Sequence, residues 1–194
     1  MISLLAKAVH YTEEYGDFNI CIFQHADGQE HVVLTCGAIE HAEHLLCRVA
    51  SECLPGMVFL SAECDCQEQL EKSMQMISEA KEGIIIFLRQ EGRGHGLVTK
   101  IQALANKNIG FDTFTAVEEL GLQADVRDYS VVKDILDYFK IKSIACICSN
   151  PDKVQSLQGE GILIETIIDI PVSANSVSRR HLEAKQKRGH TIKF

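Results

Sequence analysis

Three cysteines, Cys53, Cys64 and Cys66, fall in the stretch SECLPGMVFLSAECDC with the spacing C-x10-C-x-C. A disulfide takes two thiols and a closed structural zinc site usually takes four ligands, so three suit neither. An extended backbone would put the Cys64 and Cys66 sulfurs on the same side. Cys53 can return to them through the loop carrying Pro55 and Gly56. A helix-like run follows from Gln67, and its positive end favours thiolates over thiols beside it. Such thiolates point to zinc. Three protein ligands on a tetrahedral ion leave the fourth position to water or substrate, the arrangement of a catalytic centre. Spacing alone leaves two other readings open: a structural zinc completed by His95 or another residue, and three unliganded thiols. Glu52, adjacent to Cys53, is placed to move protons at such a centre.

A second chemistry is written in RQEGRGHGL, which follows the apolar run GIIIFL. Glycines let backbone N–H groups approach an anion, a following helix attracts it, and Arg93 adds a charge-assisted contact. Asp125 and Arg127 in DVRDY read by themselves as an exposed ion pair. The C-terminal run of Arg179, Arg180, Lys185, Lys187 and Arg188 reads by itself as solvated surface.

The elements that must carry these residues show in the periodicity. Phe18–Phe23 and His31–Cys36 read as strands around the turn ADGQ, and Leu45–Ala50 extends that sheet. Leu70, Met74, Ile77 and Ala80 recur at helical spacing. GIIIFLRQ reads as a buried strand, with a helix over about Leu97–Lys107 behind it. The second half alternates: helix over Val131–Phe139, strand over Ile144–Cys148, helix over Pro151–Gln158 capped by Asn150, strand over Ile162–Ile168. Residues 176–188 predict a polar terminal helix. The pattern is that of an α/β protein, a mixed β-sheet with flanking helices and a strand-rich N-terminal part. One domain over 1–194, with 176–194 as a basic C-terminal helix or tail, is the expected organisation.

Composition narrows the partners. The 194 residues are 46% hydrophobic and 24% charged, ordinary for a globular protein, and no apolar run is long enough to span a bilayer. MISLLAKAVHYTEEYGDF shows no signal-peptide pattern, so the cytoplasm is the expected location. Cys21, Cys36, Cys47, Cys146 and Cys148 lie in apolar contexts and read as small core residues. A net charge of −8 argues against a nucleic-acid polymer, while local basic islands suit a small phosphorylated ligand.

RVASEC (48–53), CDCQEQL (64–70), QEGRGHGL (90–97), Lys100–Ile101, DVRDY (125–129) and SNPDK (149–153) occur in the order and spacing of GTP cyclohydrolase II. The chain resembles that family from about Gly16 to His190. The resemblance implies opening of the imidazole ring of GTP with release of formate and diphosphate, the first committed step of riboflavin synthesis. It further implies one zinc per subunit, Mg2+ with the phosphates, and a homodimer. It assigns zinc to Cys53, Cys64 and Cys66. It assigns nucleotide contacts to Arg48, Glu52, Gln69, Glu91, Gly92, Arg93, Thr113 and Lys153. Asp125 matches a general acid/base, and Arg127 matches an arginine at the α-phosphate.

Departures from the family pattern cluster near the chemistry. Ala50 stands at a histidine, Glu63 at an arginine, Gln67 at a glycine and Leu104 at a tyrosine of the ring chemistry. FTAV (114–117) replaces V-E-A-N, CSNP (148–151) replaces T-N-N-P, and His95 replaces Ile or Asn. A carboxylate at 63 is expected to repel polyphosphate, and a leucine at 104 donates no proton. These changes carry a second reading, a divergent paralogue that binds a nucleotide, or cleaves only its phosphate, without opening the ring.

Overall fold

The computed structural model describes residues 1–112 and 114–194. Seven strands form one mixed sheet: β1 (Ser3–Thr12), β2 (Gly16–Gln24), β3 (Glu30–Cys36), β4 (Leu45–Ser51), β5 (Gly83–Leu88), β6 (Ile144–Ile147) and β7 (Ile164–Ile168), in the order β1-β2-β3-β5-β4-β6-β7. The first three strands and β5 pair antiparallel; β5, β4, β6 and β7 pair parallel. The mixed α/β class expected from the alternation is the class observed.

Helices cover the parallel half because β4, β5 and β6 are buried on both faces. In β5, Ile84, Ile86 and Leu88 pack on one side and Ile85 on the other, all at most 1% exposed. The first side takes Val131, Val132, Ile135 and Leu136 of α5 (Ser130–Tyr138) and Leu157 of α6 (Pro151–Gly159). The second takes Ile77 of α2 (Cys66–Ala80) and, from the C-terminal segment, Val172, Leu182 and Ile192. Leu182 belongs to α7 (Arg179–Lys187). Remaining helices are the short α1 (Leu54–Met57), α3 (Gly96–Asn108) and the short α4 (Thr115–Glu118). Among the described residues no helix is long and apolar enough to cross a membrane.

Two sequence expectations change. No strand was legible over Ser3–Thr12, because β1 is exposed on both faces except at Thr12 and so lacks the half-buried alternation that marks a strand. The basic C-terminal run is not simply solvated surface. Leu182 is fully buried, and the backbone is tied down by Thr191 N–H to Ser149 O at 3.0 Å and Val172 N–H to Lys193 O at 3.0 Å.

Candidate active site

The parallel strands β4, β5 and β6 end on one side, and the residues just past their carboxyl ends build a cleft of about 350 Å³. Ligands of open α/β sheets bind at this edge, where loops diverge from neighbouring strands. Past β4 come Glu52 and Cys53, past β5 come Gln90 to Arg93, and past β6 come Cys148 to Lys153.

The three cysteines converge, although the Cys64–Cys66 segment is not extended: Asp65 between them has φ −99° and ψ 13°. Cys53 caps α1, and Cys66 opens α2, with Cys64 just before it. Their sulfurs lie within 4.8 Å of one another, and Cys53 Sγ to Cys64 Sγ is 3.8 Å. A tetrahedron with zinc–sulfur bonds of about 2.3 Å has edges of about 3.8 Å. Gly56 makes the cradle: a Cβ there would sit 2.5 Å from Cys64 Sγ and 3.2 Å from Cys53 Sγ. These residues fit a thiophilic divalent metal. Among the described residues the cluster holds no fourth Cys, His, Asp or Glu. His95, one candidate for that role, is turned to Gln123 O at 2.8 Å.

Electrostatics favour a thiolate at Cys53, while Cys64 and Cys66 hold their protons more tightly than a free thiol. Hydrogen bonds from Cys64 and Cys66 hold the Cys53 thiol well below its ordinary value against the effect of burial, while hydrogen bonds with Cys53 and Cys66 raise Cys64. Lys100 Nζ lies 3.5 Å from Cys53 Sγ and 3.7 Å from Glu91 Oε1. Burial opposes its charge, but the sulfurs outweigh that and hold its pKa up. Glu91, 6% exposed, takes the Leu54 N–H at 2.6 Å and the Gly92 N–H at 2.8 Å, which locks the glycine-rich turn against α1.

That turn is left-handed at Gly92, Arg93 and Gly94 (φ 61°, 59° and 93°). For Arg93 this is a conformation seldom adopted by non-glycine residues and concentrated at functional sites. Its backbone O accepts from Val126 N–H at 3.0 Å, and its guanidinium lies 4.0 Å over the Phe114 ring. Burial, then Arg127, lowers its pKa to about 10. Gln90 joins the same two loops, donating to Asp128 O at 2.8 Å and accepting the Asp128 N–H at 3.0 Å.

Asp125 and Arg127 form a two-pronged ion pair, with Arg127 Nε to Asp125 Oδ1 at 2.9 Å, and Arg127 Nη1 reaches Ser51 Oγ at 3.2 Å. Burial raises the Asp125 carboxyl, but the hydrogen bond from Arg127 more than offsets it and leaves the group below the usual range. Arg48 is 8% exposed. It donates to Ile147 O at 2.9 Å and to Gln69 Oε1, and its Nε has no hydrogen-bond partner among the described residues. Lys153, also 8% exposed, donates to Val49 O at 2.9 Å; burial and then Arg127 lower its pKa to about 7. Neither Arg48 nor Lys153 has a carboxylate partner among the described residues. Tyr129 lies against both Arg127 and Lys153, with ring centroid distances of 5.7 and 6.0 Å, and its buried hydroxyl also has no hydrogen-bond partner among the described residues.

The structure therefore brings together Arg48, Glu52, Gln69, Glu91, Gly92, Arg93, Asp125, Arg127, Lys153 and the three cysteines along one cleft. Thr113 lies outside the described residues. Sequence reasoning missed Tyr129 as a site group, and missed His181, Lys185, Arg188 and His190, which line the cleft from the C-terminal segment. The spacing of 181, 185 and 188 marks one helix face and was the available signal. Cys148, expected in the core, also lines the cleft. A hydrogen bond from Cys146 lowers its pKa to about 5 against burial. Cys36 is only half-buried.

The departures have structural places. Ala50 is buried on β4 at the cleft. Glu63 does not stand as an unpaired repelling charge: Lys107 Nζ holds it at 2.8 Å. That pair and Leu104 line an adjoining cavity of about 80 Å³ with Cys53, Cys64 and Ala103.

A family description of GTP cyclohydrolase II matches residues 5–169. The chain belongs to the GTP cyclohydrolase II family. It is 41% identical over 180 residues to GTP cyclohydrolase-2 of Neisseria meningitidis serogroup C, covering 92% of this chain and 91% of that protein. It is also 41% identical over 177 residues to GTP cyclohydrolase-2 of Acinetobacter baumannii strain SDF, covering 90% and 88%. In fold it is similar to a two-domain 3,4-dihydroxy-2-butanone 4-phosphate synthase, RibBX, from A. baumannii. That likeness has a TM-score of 0.50 at 16% identity and covers 86% of this chain and 40% of that one. By family, this is a GTP cyclohydrolase II-like hydrolase with a cysteine cluster able to bind a metal.

Proposed function

We propose that the chain opens the imidazole ring of GTP, or a closely related purine nucleotide, in a zinc-dependent hydrolysis that releases formate and diphosphate. The supporting observation is one cleft that holds a three-sulfur cluster beside the buried Arg48 and Lys153, neither with a carboxylate partner among the described residues. Buried charges are normally paired. Two such cations and an orphaned Tyr129 hydroxyl ask for an anion, and a nucleotide phosphate supplies it.

Cys53, Cys64 and Cys66 would hold zinc, which when bound supplies Lewis acidity that activates water against the electron-poor C8 of the base. Arg48, Arg127 and Lys153 receive phosphate oxygens. Arg127, gripped by Asp125 and Ser51 Oγ, is oriented before substrate arrives, which lowers the reorganisation needed at reaction. Asp125 is ionised at neutral pH, so it enters as a proton acceptor. Glu52, 3.9 Å from Arg89 Nε, is the second carboxylate able to move a proton. Gln69, Glu91, Gly92, Arg93 and Thr113 complete the nucleotide contacts. Mg2+ accompanies the phosphates. A place in riboflavin synthesis, a cytoplasmic location and a homodimer belong to the same reading, as does a single domain over 1–194. The exposed β1 edge with Leu4, Leu5, Val9 and Tyr11 favours a second subunit.

A second reading, nucleotide binding without ring opening, is favoured by Leu104, which offers no proton where it lines the cavity beside Cys53 and Cys64. Mass spectrometry of products after incubation with a panel of purine nucleotides and Mg2+ separates the two. Zinc-dependent formate supports the first. Nucleotides recovered intact after demonstrated binding support the second, and a zinc-loaded protein inert to every purine nucleotide sinks the first.

A further inference from the structure

Asp65 sits between Cys64 and Cys66 and is 4% exposed. A buried carboxylate beside thiolates is costly unless cations and donors surround it. They come from two distant parts of the chain. Lys185 Nζ donates to Asp65 Oδ1, and His181 Nε2 stands 3.7 Å from the same oxygen, both from α7. Gln69 Nε2, one turn into α2, donates to Asp65 Oδ2, while Gln69 Oε1 accepts from Arg48 Nη2. An unbroken chain of contacts thus runs from the C-terminal helix through the metal loop to an arginine of the nucleotide cleft. The segment that supplies this lies beyond residues 5–169, where the family match ends, but it is packed rather than loose: Leu182 is 0% and Ile192 2% exposed.

We propose that Asp65 and Lys185 are a positioning pair that fixes the Cys64–Cys66 loop for its metal and, through Gln69, sets Arg48 for the nucleotide. The C-terminal helix is then a working part of the site. The inference deepens the zinc and nucleotide reading above and rests on it. Removing Lys185 alone leaves a buried carboxylate beside the sulfurs without its lysine, with only Gln69 Nε2 and His181 near it, whereas removing both charges leaves no such carboxylate. The two substitutions are therefore coupled.

The test compares wild type, Lys185→Met, Asp65→Asn, the double variant and Lys185→Arg. Zinc release to a colorimetric chelator and GTP affinity by calorimetry are measured on zinc-loaded protein, with melting temperature as a control. Lys185→Met is expected to release zinc about 10-fold faster and to bind GTP about 10-fold more weakly, the scale for groups behind metal ligands. Lys185→Arg should stay within about 3-fold of wild type, and Asp65→Asn should partly rescue Lys185→Met. Wild-type zinc release and GTP affinity in Lys185→Met, with only melting lowered, overturn the proposal; so do strictly additive effects. A wild type that holds zinc but binds no purine nucleotide overturns the nucleotide reading and the Arg48 limb, and zinc release still decides the pair. A wild type unable to hold zinc overturns both.

Discussion

The hydroxyl of Tyr129 and the Nε of Arg48 are buried polar atoms with no hydrogen-bond partner among the described residues, in a cleft whose walls carry Arg127 and Lys153. An unsatisfied buried polar group costs about 1–3 kcal/mol in the free protein, and a hydrogen bond to a charged partner returns about as much on binding. Tyr129→Phe should therefore weaken GTP binding about 10-fold by calorimetry while leaving the melting temperature equal or higher. A simple packing role for the ring predicts no change in affinity. Lys153 adds a pH dependence. Its pKa is lowered to about 7 by burial, so it gains its charge only as pH falls through that value. Affinity for the nucleotide should rise as pH falls from about 8.5 to about 6.5, and Lys153→Met should flatten that profile. Stability carries the opposite sign. Between about pH 7 and pH 10 the unfolded chain binds the proton that folded Lys153 does not, so this residue's contribution to stability increases with pH there.

At the scale of elements, Lys153 is aimed by the start of α6. Asn150 Oδ1 accepts from the N–H groups of Asp152 and Lys153, at 3.0 and 3.4 Å, and Pro151 occupies the first turn of α6. That cap fixes the backbone from which Lys153 reaches Val49 O. Asn150→Ala should cost about 1 kcal/mol in a denaturant titration. It should also weaken nucleotide binding, which a substitution at the exposed far end of α6, such as Gln158→Ala, should not. The cap and the helix were legible because Asn-Pro ahead of an apolar repeat is a local signal. The strand Ser3–Thr12 was not. It pairs with β2 through backbone bonds and buries almost none of its side chains, so its residues carry no alternation to read.

For the whole molecule, the three sulfurs join the β4–α1 turn to the start of α2. Metal bound to the native cluster stabilises the folded state by mass action. Exhaustive chelation should lower the melting temperature by about 5 °C or more, and restored zinc should recover it. Unchanged melting would place the metal outside the folded structure's support. The chain by itself determined the α/β alternation, the three-cysteine set, the glycine-rich turn and the DVRDY and SNPDK segments, because each is a local pattern of residue types. It did not determine that Glu63 is neutralised by Lys107, that Tyr129 and Cys148 face the cleft, or that α7 supplies Lys185 to Asp65. Asp65 and Lys185 are 120 residues apart, and a charge leaves no periodic trace of a partner at that distance. Only packing of the C-terminal helix on the sheet brings the two together, and burial then turns an ordinary acidic residue into one that needs its lysine.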